Sequence, residues 1–498
     1  MCSDPVAVLR RAFGYPGFRP GQEELVRAVL GRRDALGILP TGGGKSLCYQ
    51  VPARMIPGLT LVVTPLISLM QDQVERARTV GLAADALSAA QSPSERRGAL
   101  ERATRSELDL LFVSPERLAM DAFRELVGRL RVDLLAVDEA HCISEWGHDF
   151  RPAYRKIGAM ARRLGCPTLA LTASATPAVR DDIRESLGLT APVEVLRSFD
   201  RANLWWAVQA AGPLHTRARQ TYRLLRSGGG SAIVYAATRR SVEQVRDALA
   251  SLGLGCDAYH AGLSGAERAR VQERFMRGHV RTVVATNAFG MGIDKPDVRT
   301  VIHVQLPSTL EAYYQEAGRA GRDGLPARCI ALHGRGDRRL SDRFLDAAWP
   351  RPRQLKALHR ALRRASGPER VLHTGDPDVR KALGGVPEAW IRGEPVGPLA
   401  ALERAGAIRP VHGDGTGQGH DGSMKTSFAV SVRMDTTPVR DRRRVVAGKI
   451  DAVDAYARTR DCRTRRLLRY FGEKRRASCG RCDRCGWDST AGMPVADG

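Results

Sequence analysis

The chain has 498 residues and carries 78 lysines and arginines against 54 acidic residues, for a net charge of +24 and a pI near 10.3. That length exceeds one hydrophobic core and predicts about two to four domains. No run of about 18 apolar residues and no apolar N-terminal h-region is present, which argues against membrane insertion and secretion and for a cytosolic protein. The basic excess favours a polyanionic partner such as nucleic acid, although only 8 of the basic residues are lysine, a bias that coding sequence alone can produce.

Near the start, Tyr15-Pro16-Gly17-Phe18-Arg19-Pro20-Gly21-Gln22 precedes an amphipathic helix, Glu23 to Leu30. Ahead of a phosphate loop such a stretch can hold adenine, with Tyr15 or Arg19 stacking on the base and the Gln22 amide pairing with its N6 and N7 edge. The loop follows an apolar strand, Ala35 to Leu39, and reads Leu39-Pro40-Thr41-Gly42-Gly43-Gly44-Lys45-Ser46. Its glycines let backbone N–H groups turn inward around phosphate oxygens at the start of a helix, Leu47 to Ala53. Thr41, Gly42, Gly43 and Gly44 form the cradle, Lys45 reaches the β- and γ-phosphates, and the Ser46 hydroxyl ligates Mg²⁺. Leu39 stands where the strict pattern has glycine.

Strands are expected at Leu59 to Thr64, Leu108 to Ser114, Leu134 to Asp138 and Thr168 to Thr172, separated by helical segments. That alternation predicts a parallel sheet covered on both faces, with ligands beyond the carboxyl ends of its strands. Asp138-Glu139-Ala140-His141 lies at one such end. There Asp138 acts on Mg²⁺ through its water shell, and Glu139 orients or deprotonates the attacking water. Ser144 to Arg151 follows, and its Trp146, His148, Phe150 and Arg151 make a base-stacking element that could sense DNA.

After Arg197 to Pro213, a linker-like segment, a second alternating set is expected: Ser231 to Tyr235, Cys256 to Tyr259, Thr282 to Ala285, Thr300 to Val304 and Arg328 to Leu332. This half has no phosphate loop but carries Gln315-Glu316-Ala317-Gly318-Arg319-Ala320-Gly321-Arg322-Asp323-Gly324. On a helix the two arginines share a face, and either could cross a cleft as an arginine finger. DNA is expected to be gripped by Pro65 to Asp72, with Pro65, Ser68, Gln71 and Asp72 as contacts, and by Thr238 and Thr286 of the second half.

Between Trp349 and Thr437, a helix leading to a short strand (Gly393 to Ile408) and an alternating strand (Phe428 to Met434) suggest a small winged-helix-like insertion. The glycine-rich loop 413–423 between them is expected to be mobile. Arg440 to Arg476 carries 14 basic and 5 acidic residues. Ile450, Val453 and Ala457 form one apolar stripe there, and Leu467, Leu468 and Phe471 another, so two packed basic helices are expected. Of ten cysteines six are scattered, whereas Cys462, Cys479, Cys482 and Cys485 have the spacing of a tetrahedral structural Zn²⁺ site. The tail 488–498 is expected to be disordered.

Taken together, these residues resemble the RecQ family of superfamily 2 DNA helicases. The matching pieces are Phe18 to Gln22, Thr41 to Ser46, Asp138 to Pro152, Thr172 to Thr176, Gly290-Met291-Gly292-Ile293-Asp294-Lys295-Pro296, Gln315 to Gly324 and the four cysteines. The resemblance implies ATP-dependent 3′-to-5′ translocation on single-stranded DNA and unwinding of forked or 3′-tailed duplexes in repair or recombination, with repair proteins as partners. It further implies catalytic roles for His141 and Gln315, nucleotide contacts from Gly292 and Asp294, and coupling of the two domains by Ser174 and Thr176. It makes Leu39 ordinary at its position, and a nucleoid-associated monomer is expected. The expected organisation is α/β: two tandem RecA-like parallel-sheet domains (1–207 and 208–345), the linker and insertion (346–439), and a helical zinc-binding module (440–487). Family members often continue into a winged helix and a small helical DNA-binding domain. Both are expected to be absent here, which puts a strand-separating wing in doubt and leaves weak or partner-assisted unwinding as the alternative, with an RNA helicase behind it.

Overall fold

A computed structural model of the chain describes residues 4–40, 42–65, 67–88, 91–118, 120–145, 147, 150–290, 293, 295–366, 371–373, 379, 397–410 and 427–487. It divides into two compact units, Arg335–Asp454 and the remainder.

The larger unit holds two parallel sheets. The first comprises β1 (Ala35–Ile38), β2 (Leu59–Val63), β3 (Ala84–Leu87), β4 (Leu110–Val113), β5 (Val132–Val137), β6 (Thr168–Thr172) and β7 (Val193–Leu196), in the order β3-β4-β2-β5-β6-β1-β7. The second comprises β8 (Leu204–Ala210), β9 (Ser231–Tyr235), β10 (Asp257–Tyr259), β11 (Thr282–Ala285), β12 (Val298–His303) and β13 (Ala327–His333), in the order β10-β11-β9-β12-β13-β8. Central strands such as β1, β2, β4, β6 and β9 are buried along their whole length, because helices cover both faces; this is why they read as continuous apolar runs. Local sequence starts several of the covering helices: Ser92 with Glu95, and Ser264 with Glu267, form reciprocal capping boxes.

Three strands of these two sheets went unread in the sequence. β3 is short and alanine-rich, and β7 is an edge strand with two of its four residues exposed, so neither shows a strand period. β8 lies inside the expected linker 197–213 and pairs with β13 over seven residues, from Leu204 with Ala327 to Ala210 with His333. Its Trp205 and Trp206 therefore belong to the second sheet rather than to a connector.

The unit Arg335–Asp454 contains the helices Asp337–Ala348 and Pro352–Ala365, then β14 (Val371–His373), the helix Pro398–Arg404, β15 (Ile408–Pro410) and β16 (Ser427–Val430). The strands form an antiparallel sheet with β16 in the middle, a winged-helix-like arrangement. Trp349, Leu355, Leu362, Leu372, Leu402 and Phe428 lie in its core. The helix Thr437–Arg458 begins inside this unit and ends past it, and the helix Arg463–Tyr470 follows; their buried Ile450, Val453 and Ala457, and Leu467, Leu468 and Phe471, are the two expected stripes. The glycine-rich loop 413–423 and the tail 488–498 lie outside the described residues. Among the described residues no helix is long and apolar enough to cross a membrane.

Candidate functional site

The phosphate loop joins β1 to the helix Leu47–Ala53. Gly42 and Gly44 have φ of 81° and 69°, left-handed values that a side chain resists. A Cβ at Gly44 would also sit 2.6 Å from Gln22 Nε2. That closeness follows from where the Gln22 side chain goes. It is buried, its oxygen accepts from the Arg19 N–H at 2.8 Å, and its amide donates to the carbonyls of Gly43 and Gly44, each at 2.9 Å. The Arg19 guanidinium donates to the Gly42 carbonyl. Two residues expected at the adenine base are thus tied to the phosphate loop in this structure, whereas the Tyr15 ring is exposed. Lys45 and Ser46 stand partly exposed at the loop's end; Thr41 lies outside the described residues.

β5 delivers Asp138. Its N–H donates to the Val63 carbonyl at 2.9 Å, its carbonyl accepts from the Tyr154 hydroxyl at 3.1 Å, and its Oδ1 accepts from the Glu139 N–H at 2.9 Å. Burial pushes the Asp138 carboxyl up to about 6; the Glu139 carboxylate pushes the same way and the Lys45 ammonium opposes both. Glu139 has φ 47°, strained for a residue with a side chain, and this turns the chain sharply out of the strand. The Glu139 carboxylate lies 3.2 Å from His141 Nδ1, and Thr172 Oγ1 is 2.8 Å from the same nitrogen. Buried His141 therefore joins the carboxylate turn to the end of β6. Tyr154 carries no motif signal of its own, because it acts through one hydrogen bond to a backbone carbonyl; Thr172 opens the expected Thr172 to Thr176 stretch, but its bond to His141 leaves no mark in that motif.

The second lobe meets the first through the helix Leu310–Ala317 and the turn after it. The Gln315 amide donates to the Ser174 hydroxyl at 2.9 Å. A Cβ on Gly42 would lie 3.6 Å from Arg322 Cγ, so Arg322 reaches the phosphate loop. Arg319 goes elsewhere: a Cβ on Gly290 would lie 2.6 Å from its Nη2, and its charge acts on the buried Tyr235 hydroxyl, which donates to the Phe289 carbonyl at 2.8 Å. The expectation that both arginines share a helix face fails, because the helix ends at Ala317 and both lie in the following turns.

Of the expected DNA contacts, Pro65, Thr238 and Thr286 lie just past β2, β9 and β11, at the carboxyl ends of both sheets. Arg151 Nη1 donates to the Pro65 carbonyl at 3.2 Å, and the Arg155 guanidinium lies 5.7 Å from the Phe150 ring centroid, which brings the aromatic loop to the first of these ends. Thr238 caps its helix by accepting from the Ser241 N–H at 3.0 Å, and Thr286 is buried, so each hydroxyl has a structural role as well. Gln71 is exposed and Asp72 half-buried on the helix Ile67–Thr79. Trp146, His148, Gly292, Asp294 and the Ser68 side chain lie outside the described residues.

The Sγ atoms of Cys462, Cys479, Cys482 and Cys485 all lie within 4.8 Å of one another. Two of the spacings are 3.4 Å (Cys482 to Cys485) and 3.9 Å (Cys479 to Cys485), close to the roughly 3.8 Å edge of a tetrahedron with 2.3 Å Zn–S bonds. The Arg463 N–H points at Cys482 Sγ and the Arg481 N–H at Cys479 Sγ, each at 3.4 Å, as befits thiolate charge. The donor set fits Zn²⁺ with no open position. The module packs on the second sheet, where Trp205 meets Trp487 edge-on at 5.4 Å and the Trp206 N–H donates to the Arg481 carbonyl at 3.2 Å.

Three families match in chain order: DEAD/DEAH box helicase over residues 19–183, helicase conserved C-terminal domain over 216–324, and RecQ zinc-binding over 427–486. A Bacillus subtilis protein, the probable ATP-dependent DNA helicase RecS, is 41% identical over 340 residues, 68% of this chain and 68% of its own. The chain belongs to the RecQ helicase family. The RecQ helicase of Pasteurella multocida is 45% identical over 332 residues, 66% of this chain and 52% of that protein, so the chain spans about half the length of such relatives. Among solved structures, the Mycobacterium smegmatis helicase Lhr bound to ssDNA and AMP-PNP covers 90% of this chain and 63% of its own at TM-score 0.55 and 20% identity. Saccharomyces cerevisiae Dbp5 bound to RNA and ADP BeF3 covers 67% and 88% at TM-score 0.53 and 17% identity. At these identities the likeness is one of fold. Within the RecQ family, ATP use and a Cys₄ zinc site are the shared features this chain's residues match.

Proposed function

We propose that this RecQ-family chain is an ATP-dependent DNA helicase. It would translocate 3′ to 5′ on single-stranded DNA and unwind forked or 3′-tailed duplexes in repair or recombination. The observation that carries the reading is the approach of Arg322 from the second lobe to Gly42 of the phosphate loop. A guanidinium there would neutralise charge that develops on the transferred phosphoryl group. Lys45 would hold the β- and γ-phosphates, and Glu139 would orient and deprotonate the attacking water, with His141 reporting its position to β6. Ser46, and Asp138 through water, would hold Mg²⁺, which shields phosphate charge. Zn²⁺ at the four cysteines would be structural.

Hydrolysis would release the contact across the cleft. Gln315 and Ser174, hydrogen-bonded in this structure, would pass that change to the strand held past β2, β9 and β11. Pro65, Ser68, Gln71 and Asp72 would grip from the first lobe and Thr238 and Thr286 from the second, with Trp146, His148, Phe150 and Arg151 sensing bases. The test is strand displacement on substrates with a 3′ or a 5′ tail, with ATP and with a non-hydrolysable analogue. Only the 3′-tailed fork with ATP should be unwound, and equal use of both tails would overturn the polarity. Stimulation of ATPase by RNA in preference to DNA would turn the reading to an RNA helicase. Glu139→Gln should lose turnover and keep DNA binding; unchanged behaviour would point to a non-catalytic scaffold.

A further inference from the structure

The segment between the two sheets carries an arginine that belongs to none of the motifs above. Arg201 Nη1 donates to the Gly318 carbonyl and Nη2 to the Gly321 carbonyl, each at 2.6 Å. These two carbonyls bracket Arg319, and Gly321 is bonded directly to Arg322. Asn203 closes the turn from its other side, with Nδ2 donating to Gly321 O at 2.7 Å and Leu325 O at 2.9 Å. Gly321 has φ 55°, and a Cβ there would lie 2.4 Å from Asn203 Nδ2, so the turn is moulded around this side chain. Burial penalises the Arg201 charge, and two charge-assisted bonds to carbonyls replace the water it has lost.

We infer that Arg201 is the positioning residue of the arginine finger: its forked guanidinium fixes the turn that carries Arg322 to the phosphate loop. The inference rests on the assignment of Arg322 made above. The residues beside Arg201 are held in turn by the cysteine-bearing tail. The two Asp200 oxygens accept from Arg475 and Arg481, one each. The Ser198 hydroxyl and the Phe199 N–H donate to the Glu473 carboxylate at 2.6 and 3.0 Å, and the Phe199 ring stacks on Phe471 at 4.4 Å. The placement of Arg322 is thereby linked to the segment that any closure of the lobes must bend, and that segment is braced by the zinc-binding tail.

Arg201→Lys in the full-length, zinc-loaded chain tests this. Lysine keeps the charge but cannot present two parallel donors to two carbonyls. Turnover of DNA-stimulated ATP hydrolysis should fall about 10- to 100-fold, the scale of a roughly 1 Å misplacement. Affinity for a fluorescent ATP analogue should stay within about twofold, since the loss is of an interaction made after binding. Arg201→Lys combined with Arg322→Ala should be no slower than Arg322→Ala alone, because both act through one group. Asn203→Ala, which removes an uncharged partner of the same turn, should shift turnover in the same direction if Arg201→Lys is poorly folded. Normal turnover in Arg201→Lys and Asn203→Ala beside a slow Arg322→Ala would overturn the inference and leave the finger standing. So would losses that multiply in the double variant. Normal turnover in Arg322→Ala would remove the finger itself.

Discussion

Two carboxylates placed side by side cannot both ionise freely, and Asp138 and Glu139 show which one bears the strain. Asp138, drawn into the cleft, has its carboxyl pushed up to about 6 from an ordinary value near 3.9, by burial first and by Glu139 second. A carboxyl whose pKa is higher folded than unfolded destabilises the fold once it ionises. The cost is absent below about pH 4, grows between pH 4 and 6, and is complete above that. Asp138→Asn should therefore raise the melting temperature of the metal-free protein by a few degrees at pH 7.5, with no difference at pH 4. Equal melting at both pH values would mean that Asp138 is not strained. The arginines separate just as clearly, one at Gly42 and one beside Gly290 and Tyr235. Arg322→Ala should cut turnover about 100-fold or more and leave nucleotide affinity nearly intact, as for loss of a finger. Arg319→Ala should act mainly on the stability of its own lobe, by removing the side chain packed on Gly290. The reverse pattern would exchange their roles.

Among the elements, what could be read in advance was whatever repeats over a few residues. Strands buried on both faces announce themselves as apolar runs, and the CxxC steps at Cys479 and Cys482 announce a metal site because both pairs must reach one ion. The unread strands β3, β7 and β8 lack that regularity. β8 is recognisable only through β13, more than a hundred residues further on. The helix that ends at Ala317 misled for a related reason: its continuation through Gly318 fits the local pattern, yet Arg201 and Asn203 take its carbonyls into a turn. The cysteine-bearing element depends on its ion rather than on core size, since the helix Arg463–Tyr470 has only eight residues. Stripping Zn²⁺ with a chelator, or Cys482→Ser, should lower the melting temperature and loosen the Trp205 and Trp487 contact, visible as a change in tryptophan fluorescence. A melting profile indifferent to the chelator would contradict a structural metal.

For the molecule as a whole, the net charge of +24 and the proposed DNA path make opposite forecasts about salt. The path comprises Pro65, Ser68, Gln71, Asp72, Trp146, His148, Phe150, Arg151, Thr238 and Thr286, and only Arg151 among these carries a fixed positive charge. Each phosphate neutralised on a single strand contributes a slope of about −0.7 to log affinity against log salt. Binding of a single strand in this cleft should therefore show a shallow slope, no steeper than about −1. A slope steeper than about −4 would mean that the arginine-rich surface, not the cleft, holds the strand.

From its sequence alone this protein could be placed in the RecQ family, with the phosphate loop, the carboxylate turn, the cysteine set and two parallel sheets foreseen, because each depends on backbone geometry or ligand spacing within a short stretch of chain. Only the tertiary structure decided that Gln22 spends its amide on the phosphate loop, that Arg322 rather than Arg319 approaches Gly42, and that Arg201 holds the turn between them. Those outcomes rest on single hydrogen bonds and contacts between residues twenty to three hundred positions apart. Such pairings leave no period, no spacing and no composition along the chain from which they could be inferred.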